Sequence, residues 1–154
     1  MENFRSIGRN MMIADKYFKL YLRNELQPYD LNAAEGVVLL MLYQQAASHG
    51  KTQDELIREI HYDKGVMTRT MKELEQKGFV LREQNPLDSR SYLFSLSEKG
   101  RDFKETLTAI LQRWNEALLA DLPREDLLLV EAALSRMAQN AATAYSSKLF
   151  DPHH

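Results

Sequence analysis

Between Thr52 and Gly100 the spacing of apolar residues changes from a helical period to a strand period and back again. Few folds accept that order in so short a space. "TQDELIREI" opens with Thr52 and Glu55, three apart, so each side chain can satisfy the other's backbone N–H at a helix start. Leu56, Ile57 and Ile60 give this segment a short apolar face. "HYD" then breaks the pattern. Asp63 is a good N-cap for a second helix, "KGVMTRTMKELEQKG", with a buried stripe at Val66, Met67, Thr70, Met71 and Leu74. Gly78 suits the residue after that helix, where the backbone often turns left-handed. Two short helices joined by a tight turn form a helix-turn-helix.

"FVLREQ" and "SYLFSL" follow at once, on either side of "NPLDSR". Tyr92, Phe94 and Leu96 alternate with Ser91, Leu93 and Ser95. Alternation around a Pro/Asp/Ser turn predicts a β-hairpin. Ser97 is placed to cap a long helix from Glu98 to about Ala120, striped by Phe103, Leu107, Ile110, Trp114 and Leu118. A helix-turn-helix followed directly by a hairpin is a winged helix-turn-helix.

The flanks read as helix. From Asn3 to about Leu26 the apolar residues are Phe4, Ile7, Met11, Ala14, Phe18 and Tyr21, and Pro28 lies just beyond. In "LNAAEGVVLLMLYQQAAS" Asn32 and Glu35 have capping-box spacing. That helix should run to about Ala47, with "SHG" closing it and Gly50 as the stop. It is apolar nearly all round, which places it at the centre. "DLPRED" starts a last helix with Pro123 in its first turn. Leu127, Val130, Leu134, Met137, Ala141 and Tyr145 line one of its faces, and "DPHH" should fray.

The expected fold is therefore mainly α with one small β-hairpin, a single domain over 1–154. A winged helix-turn-helix occupies about 30–100, and helices at about 1–27 and 98–150 flank it. The first and last stripes are longer than the helix-turn-helix and its hairpin can cover. Stripes of that kind point to partner helices and so to a homodimer. A two-fold dimer matches a palindromic operator with half-sites roughly 34–36 Å apart.

Composition narrows the chemistry. There is no cysteine, so disulfides, thiolate metal sites and thiol redox sensing are excluded. The net charge is −2, which alone argues weakly against nucleic acid. Residues 51–101 carry ten Lys/Arg against nine Asp/Glu, and residues 102–154 carry five against eight. A DNA-binding reading must therefore rest on where the charges stand. The longest apolar run, Val37 to Tyr43, is far short of the roughly 18 residues of a membrane span. "MENFRSIGRNMMIADKYF" carries charge throughout and lacks the apolar core of a secretory leader, so a cytoplasmic protein without membrane attachment is expected. His49, His61, His153 and His154 have no metal-site spacing. Nucleophile-elbow and phosphate-loop motifs are also missing. Asp54/Glu55 and Glu125/Asp126 belong to helix starts, where acids favour the dipole. No enzyme, metal or cofactor is expected.

Lys64, Thr68 and Lys72 are four apart and share one face of the second helix, with Arg69 beside them. Hydroxyls and cations there suit a major groove, donating to phosphates and guanine acceptors. A solvated charged face is the competing reading. In the turn, Arg90 follows Ser89 and stands two residues after Asp88, whose carboxylate can orient the guanidinium. An Arg held at a loop tip suits a narrow minor groove.

"TQDELIREIHYDKGVMTRTMKELEQKGFVLREQNPLDSRSYLFSLSEKG" resembles the multiple-antibiotic-resistance regulator (MarR) family of bacterial transcription factors. "VMTRTMKELEQKGFV" is similar to its recognition helix and following strand. "NPLDSRSYLFSLSEKG" is similar to its wing, which usually reads Asp-x-Arg, then a strand, then Leu-Thr-x-x-Gly. The resemblance implies an obligate homodimer whose first and last two helices interlock. It places each recognition helix in a major groove and each wing in a minor groove of double-stranded DNA. Carried over by position, Lys64, Thr68 and Arg69 face DNA from the helix, Arg90 faces it from the wing, and Asp88 braces the wing. Three positions depart from the pattern: Ser89 where many members have a second Arg, Val66 where a hydroxyl is common, and His61 where Gly is common. His61 reads as a turn residue, since His tolerates a left-handed backbone better than a branched side chain. Met12, Tyr17, Tyr21, Met41 and Trp114 could line a pocket for a small aromatic or phenolic effector, of the kind that members often bind near there; core packing is the competing reading of each. The expected function is a transcriptional regulator, a repressor on a pseudo-palindromic operator. The alternative is a winged-helix interaction module that does not bind DNA.

Overall fold

The protein is described by a computed structural model covering residues 3–44 and 50–146. The expected end of the second helix near Ala47, its "SHG" stop as far as His49, the fraying "DPHH" and the side chain of Phe4 lie outside the described residues. The chain forms two compact units, Met1–Trp114 and Asn115–His154.

In the first unit, α1 (Asn3–Leu26) runs into a 3-10 turn at Gln27–Tyr29, which holds Pro28. α2 (Ala33–Tyr43) starts with the anticipated capping box. The Glu35 N–H donates to Asn32 Oδ1 at 2.8 Å, and the Asn32 N–H donates to Glu35 Oε2 at 3.1 Å. Val38, Leu39 and Leu42 of α2 are buried among Leu22 and Leu26 of α1, Leu107 and Ile110. A helix apolar on every side has no solvent face to offer, and this one takes the centre of the core.

α3 (Gln53–Ile60) and α4 (Lys64–Gln76) form the helix-turn-helix, with Leu56, Met67, Met71 and Leu74 buried in the same core. Thr52 caps α3 and Asp63 caps α4. His61 closes α3 in a left-handed conformation, φ 61° and ψ 26°, and its N–H donates to the Ile57 carbonyl at 2.8 Å. The hairpin is β2 (Val80–Gln84) and β3 (Tyr92–Leu96), in the register Arg82 opposite Phe94.

A short strand that was not anticipated, β1 (Lys51–Thr52), pairs with the other edge of β3. The sheet order among the described residues is β1-β3-β2. Two residues cannot show a period, so β1 left no trace in the sequence pattern. Its effect is to tie the start of α3 to the wing. Gly50 makes the approach possible: its φ is +66°, and a Cβ there would lie 2.8 Å from the Phe94 carbonyl oxygen.

The long helix expected from Glu98 is divided. α5 (Glu98–Asp102) stops at Phe103, and α6 runs Lys104–Leu119. The break falls where the Phe103 ring enters the core, edge-on to Phe79 at 5.6 Å and to Tyr29 at 4.9 Å. Ser97 caps α5 by accepting the Gly100 N–H at 3.0 Å. At Gly100 a Cβ would sit 2.2 Å from the Phe79 carbonyl oxygen, so only glycine fits. Tyr43 donates its hydroxyl to the Gly100 carbonyl at 2.6 Å. "LSEKG" is thus a cap followed by a close-packing site.

The second unit contains the end of α6 and α7 (Arg124–Ser146). Pro123 stands immediately before α7 rather than in its first turn, and its carbonyl accepts the Asp126 N–H at 2.9 Å. None of the described residues of α7 is buried.

Candidate nucleic-acid interface

Asp63 sets the position of α4. Its carboxylate accepts the Val66 N–H at 2.8 Å, which fixes the first turn and turns Lys64, Thr68 and Lys72 outward. The far end of α4 is fixed by charge. Lys77 places its ammonium 2.9 and 3.0 Å from the two carboxylate oxygens of Glu35, whose side chain is fully buried. Burial raises the pKa of Glu35, the neighbouring Glu73 carboxyl adds to the rise, and Lys77 and the Asn32 N–H oppose it. The recognition helix is therefore capped at one end and tied to α2 at the other.

Opposite α4 stands the wing. Its tip runs from Asn85 to Ser91 and is closed by local hydrogen bonds. Asn85 Oδ1 accepts the Leu87 N–H at 3.0 Å, and Asp88 Oδ1 accepts the Arg90 N–H at 3.0 Å. Asp88 thus holds the backbone of Arg90, while its carboxylate lies 3.8 Å from Nε of a guanidinium that is 94 % exposed. The amide of Gln84 bonds the Ser89 carbonyl at 3.1 Å.

Between α4, the start of α3 and the wing lies a concave cleft of about 720 Å³. Lys64, Thr68, Lys72 and Arg90 all line it. Arg69, Asp88 and Ser89 are exposed but do not line it. The cleft also holds Arg82, so four cations face Asp54 and Glu75.

Two of its residues were missed from sequence. Arg82 places its guanidinium carbon over the Tyr92 ring, 4.5 Å from the centroid, and its Nε 3.5 Å from Glu75. It projects from the same sheet face as Tyr92, a pairing that needs the hairpin register to be known. Gln53 donates from its amide to Thr68 Oγ1 at 2.7 Å, and Thr68 donates in turn to the Lys64 carbonyl at 2.8 Å. Thr68 has therefore committed its proton, and Gln53 brings an amide to the cleft. No spacing rule links residues on two different helices.

Of the five candidate pocket residues, Tyr21 and Trp114 are in ring contact, with centroids 5.4 Å apart, and the Tyr21 hydroxyl donates to the Ile110 carbonyl at 2.8 Å. Met41 packs against the core, while Met12 and Tyr17 are exposed on α1. A separate groove of about 850 Å³ lies between α1, the start of α2 and the start of α4, and none of the five lines it. Phe18, Leu22, Val37, Tyr62 and Val66 form its apolar walls, with Lys16, Lys19 and Arg23 among its lining residues.

Among the described residues no group of three or more His, Cys, Asp or Glu could hold a metal ion, and no helix is long and apolar enough to cross a membrane.

The MarR family model matches residues 31–92, from the start of α2 to the wing. The HTH-type transcriptional regulator BilQ of Clostridioides difficile is 32% identical over 112 residues, which are 73% of this chain and 74% of that protein. The crystal structure of a MarR transcriptional regulator from Methanosarcina mazei superposes with a TM-score of 0.84 at 25% identity, covering 90% of this chain and 98% of that one. A mutant MarR from E. coli, crystallised in complex with operator DNA, gives a TM-score of 0.75 at 26% identity over 88% of this chain and 95% of that one. These relatives are regulators rather than enzymes. With its winged helix-turn-helix in place and this likeness over most of its length, the chain belongs to the MarR family of HTH-type transcriptional regulators.

Proposed function

We propose that the protein is a repressor that binds double-stranded operator DNA as a homodimer. The observation that carries this reading is the cleft in which Lys64 and Lys72 of α4 face Arg90 of the wing. A helix bearing cations at a spacing of four can lie in a major groove, while an Arg on a braced loop reaches the adjoining minor groove. Thr68 lines the same cleft, while Arg69, Ser89 and Asp88 are exposed outside it; in this reading Arg69 and Ser89 add contacts and Asp88 braces Arg90. The similar E. coli protein was crystallised with operator DNA, which supports the same use here.

The homodimer reading rests on apolar side chains left at the surface. Ile7, Met11, Met12, Ile13 and Tyr17 of α1 are exposed, as are Leu128, Leu129, Leu134 and Tyr145 of α7. In this reading residues 30–100 bind DNA and the flanking helices join two copies. Two recognition helices would then meet half-sites of a pseudo-palindrome about one helical turn apart, roughly 34–36 Å. An effector fits the groove beside α4: its apolar walls suit a small aromatic or phenolic molecule, and a ligand there would press on the first turn of the recognition helix. Repression would end when the spacing or angle of the two helices no longer matched the operator.

The test is a titration of the chain's own upstream promoter duplex at several salt concentrations. Binding should prefer that sequence, with the log–log salt slope changing by about 0.9 for each phosphate contact. Arg90→Ala is expected to weaken binding while helical content and dimer mass stay constant. Absence of binding at low salt would leave the interaction-module reading in its place.

A further inference from the structure

Leu87 stands at the wing tip with 94 % of its surface exposed. A single surface leucine is ordinary. This one differs because the loop leaves its backbone no freedom to fold the side chain away. Its own N–H is held by Asn85 Oδ1, and the Asp88 N–H by the Asn85 carbonyl at 3.2 Å. The Ser91 N–H donates to the Asp88 carbonyl at 3.1 Å, and the Asn85 N–H to the Ser91 carbonyl at 3.0 Å. Asn85 also donates from its amide to Ser91 Oγ at 3.0 Å. Pro86 fixes the φ angle just before Leu87. The tip is therefore a pre-formed loop that presents two prongs, an apolar one at Leu87 and a cationic one at Arg90.

From this geometry we infer that Leu87 is a second DNA-reading group of the wing, seated against the sugar walls of the minor groove beside Arg90. The inference rests on the DNA-binding reading above. A minor groove is about 6 Å wide, with apolar C–H walls and acceptors on its floor. Proteins that enter it combine a cation for the acceptors with an apolar side chain such as Leu for the walls and base steps. The hydrogen-bonded loop lets the wing bring both without first ordering its backbone, leaving only side-chain ordering to offset. Of the two residues between them, Asp88 accepts the Arg90 N–H and Ser89 carries no charge, so the wing's grip divides between one cation and one apolar contact. It also gives the wing a preference for A·T steps, since the guanine N2 amino group projects from the floor into the space between the walls that Leu87 would enter.

The test compares Leu87→Asn and Leu87→Met with the unaltered chain on the promoter duplex, with thermal unfolding and dimer mass as controls. Leu87→Asn is expected to bind about tenfold more weakly, the equivalent of losing most of one buried leucine contact. The salt slope should not change, because no phosphate contact is lost, whereas Arg90→Ala should shift it. Leu87→Met should keep most of the affinity. Changing the wing-facing A·T steps to G·C should weaken the unaltered chain more than Leu87→Asn. Equal affinity of Leu87→Asn and the unaltered chain, or equal loss on the G·C duplex, overturns the inference and leaves the DNA-binding reading standing. If the unaltered chain binds no duplex at low salt, both are overturned.

Discussion

His61 pays a conformational penalty to close α3. Its φ of 61° is the left-handed region, which costs an L-residue with a Cβ about 1–2 kcal/mol. The turn needs that conformation because it bends the chain from α3 into α4 within three residues, His61 to Asp63. His61→Val should destabilise the fold by about 1–2 kcal/mol, since branching at Cβ adds to the clash. His61→Gly should be neutral or slightly stabilising, with relief of strain set against about 0.5–1 kcal/mol of extra chain entropy. Urea unfolding of the three proteins checks the order Gly ≥ His > Val. The turn was legible because "HYD" breaks an apolar period. The bond from Gln53 to Thr68 was not, because it joins residues fifteen apart on different helices. Sequence periodicity reports which side of a helix a residue occupies, not which group meets it there.

At the level of elements, the question is what holds α4 in place. The capping box of Asn32 and Glu35 was legible from a spacing of three; Lys77, forty-two residues along, was not. β1 was equally hidden, and so was the division of the long helix at Phe103, which is a packing event rather than a change of period. The Glu35 carboxylate has a consequence for pH. Its pKa is raised on folding, chiefly by burial, so the folded chain binds that proton more tightly than the unfolded chain. This group's contribution therefore favours folding below the usual glutamate range and is lost as pH rises through the raised folded value. Glu35→Gln should flatten the pH dependence of stability in the window just above the ordinary glutamate pKa, as read from urea midpoints across pH. Glu35→Ala removes both the cap and the partner of Lys77. It is expected to cost about 2–3 kcal/mol and to loosen α4, visible as faster amide exchange in its last turn. Unchanged exchange there would mean that Glu35 does not position the helix.

For the whole molecule, the exposed faces of α1 and α7 matter most. Leu128 is 78 % exposed and Leu129 70 %, and none of the described residues of α7 is buried. The sequence showed a stripe at each end of the chain, because each follows the helical period, but Leu128 and Leu129 lie off the α7 stripe of Leu127, Val130 and Leu134. It could not show how little of α7 is covered within one chain, since that depends on packing. If a second copy covers these faces, each leucine that leaves water contributes about 1.5–3 kcal/mol to association. Leu128→Glu combined with Leu129→Glu should then convert the dimer to a monomer at micromolar concentration, measured by sedimentation. The melting temperature of the unaltered chain should rise with its concentration, and that of the variant should not. DNA binding supplies the decisive coupling. A monomer can engage only one half-site, so it forfeits the high effective concentration that joins the two contacts in a dimer. Affinity for the full operator should fall to that for an isolated half-site, although every residue of the cleft is unchanged. A variant that is monomeric yet binds the full operator as tightly as the unaltered chain would show that dimerisation is not what makes the two half-sites act together.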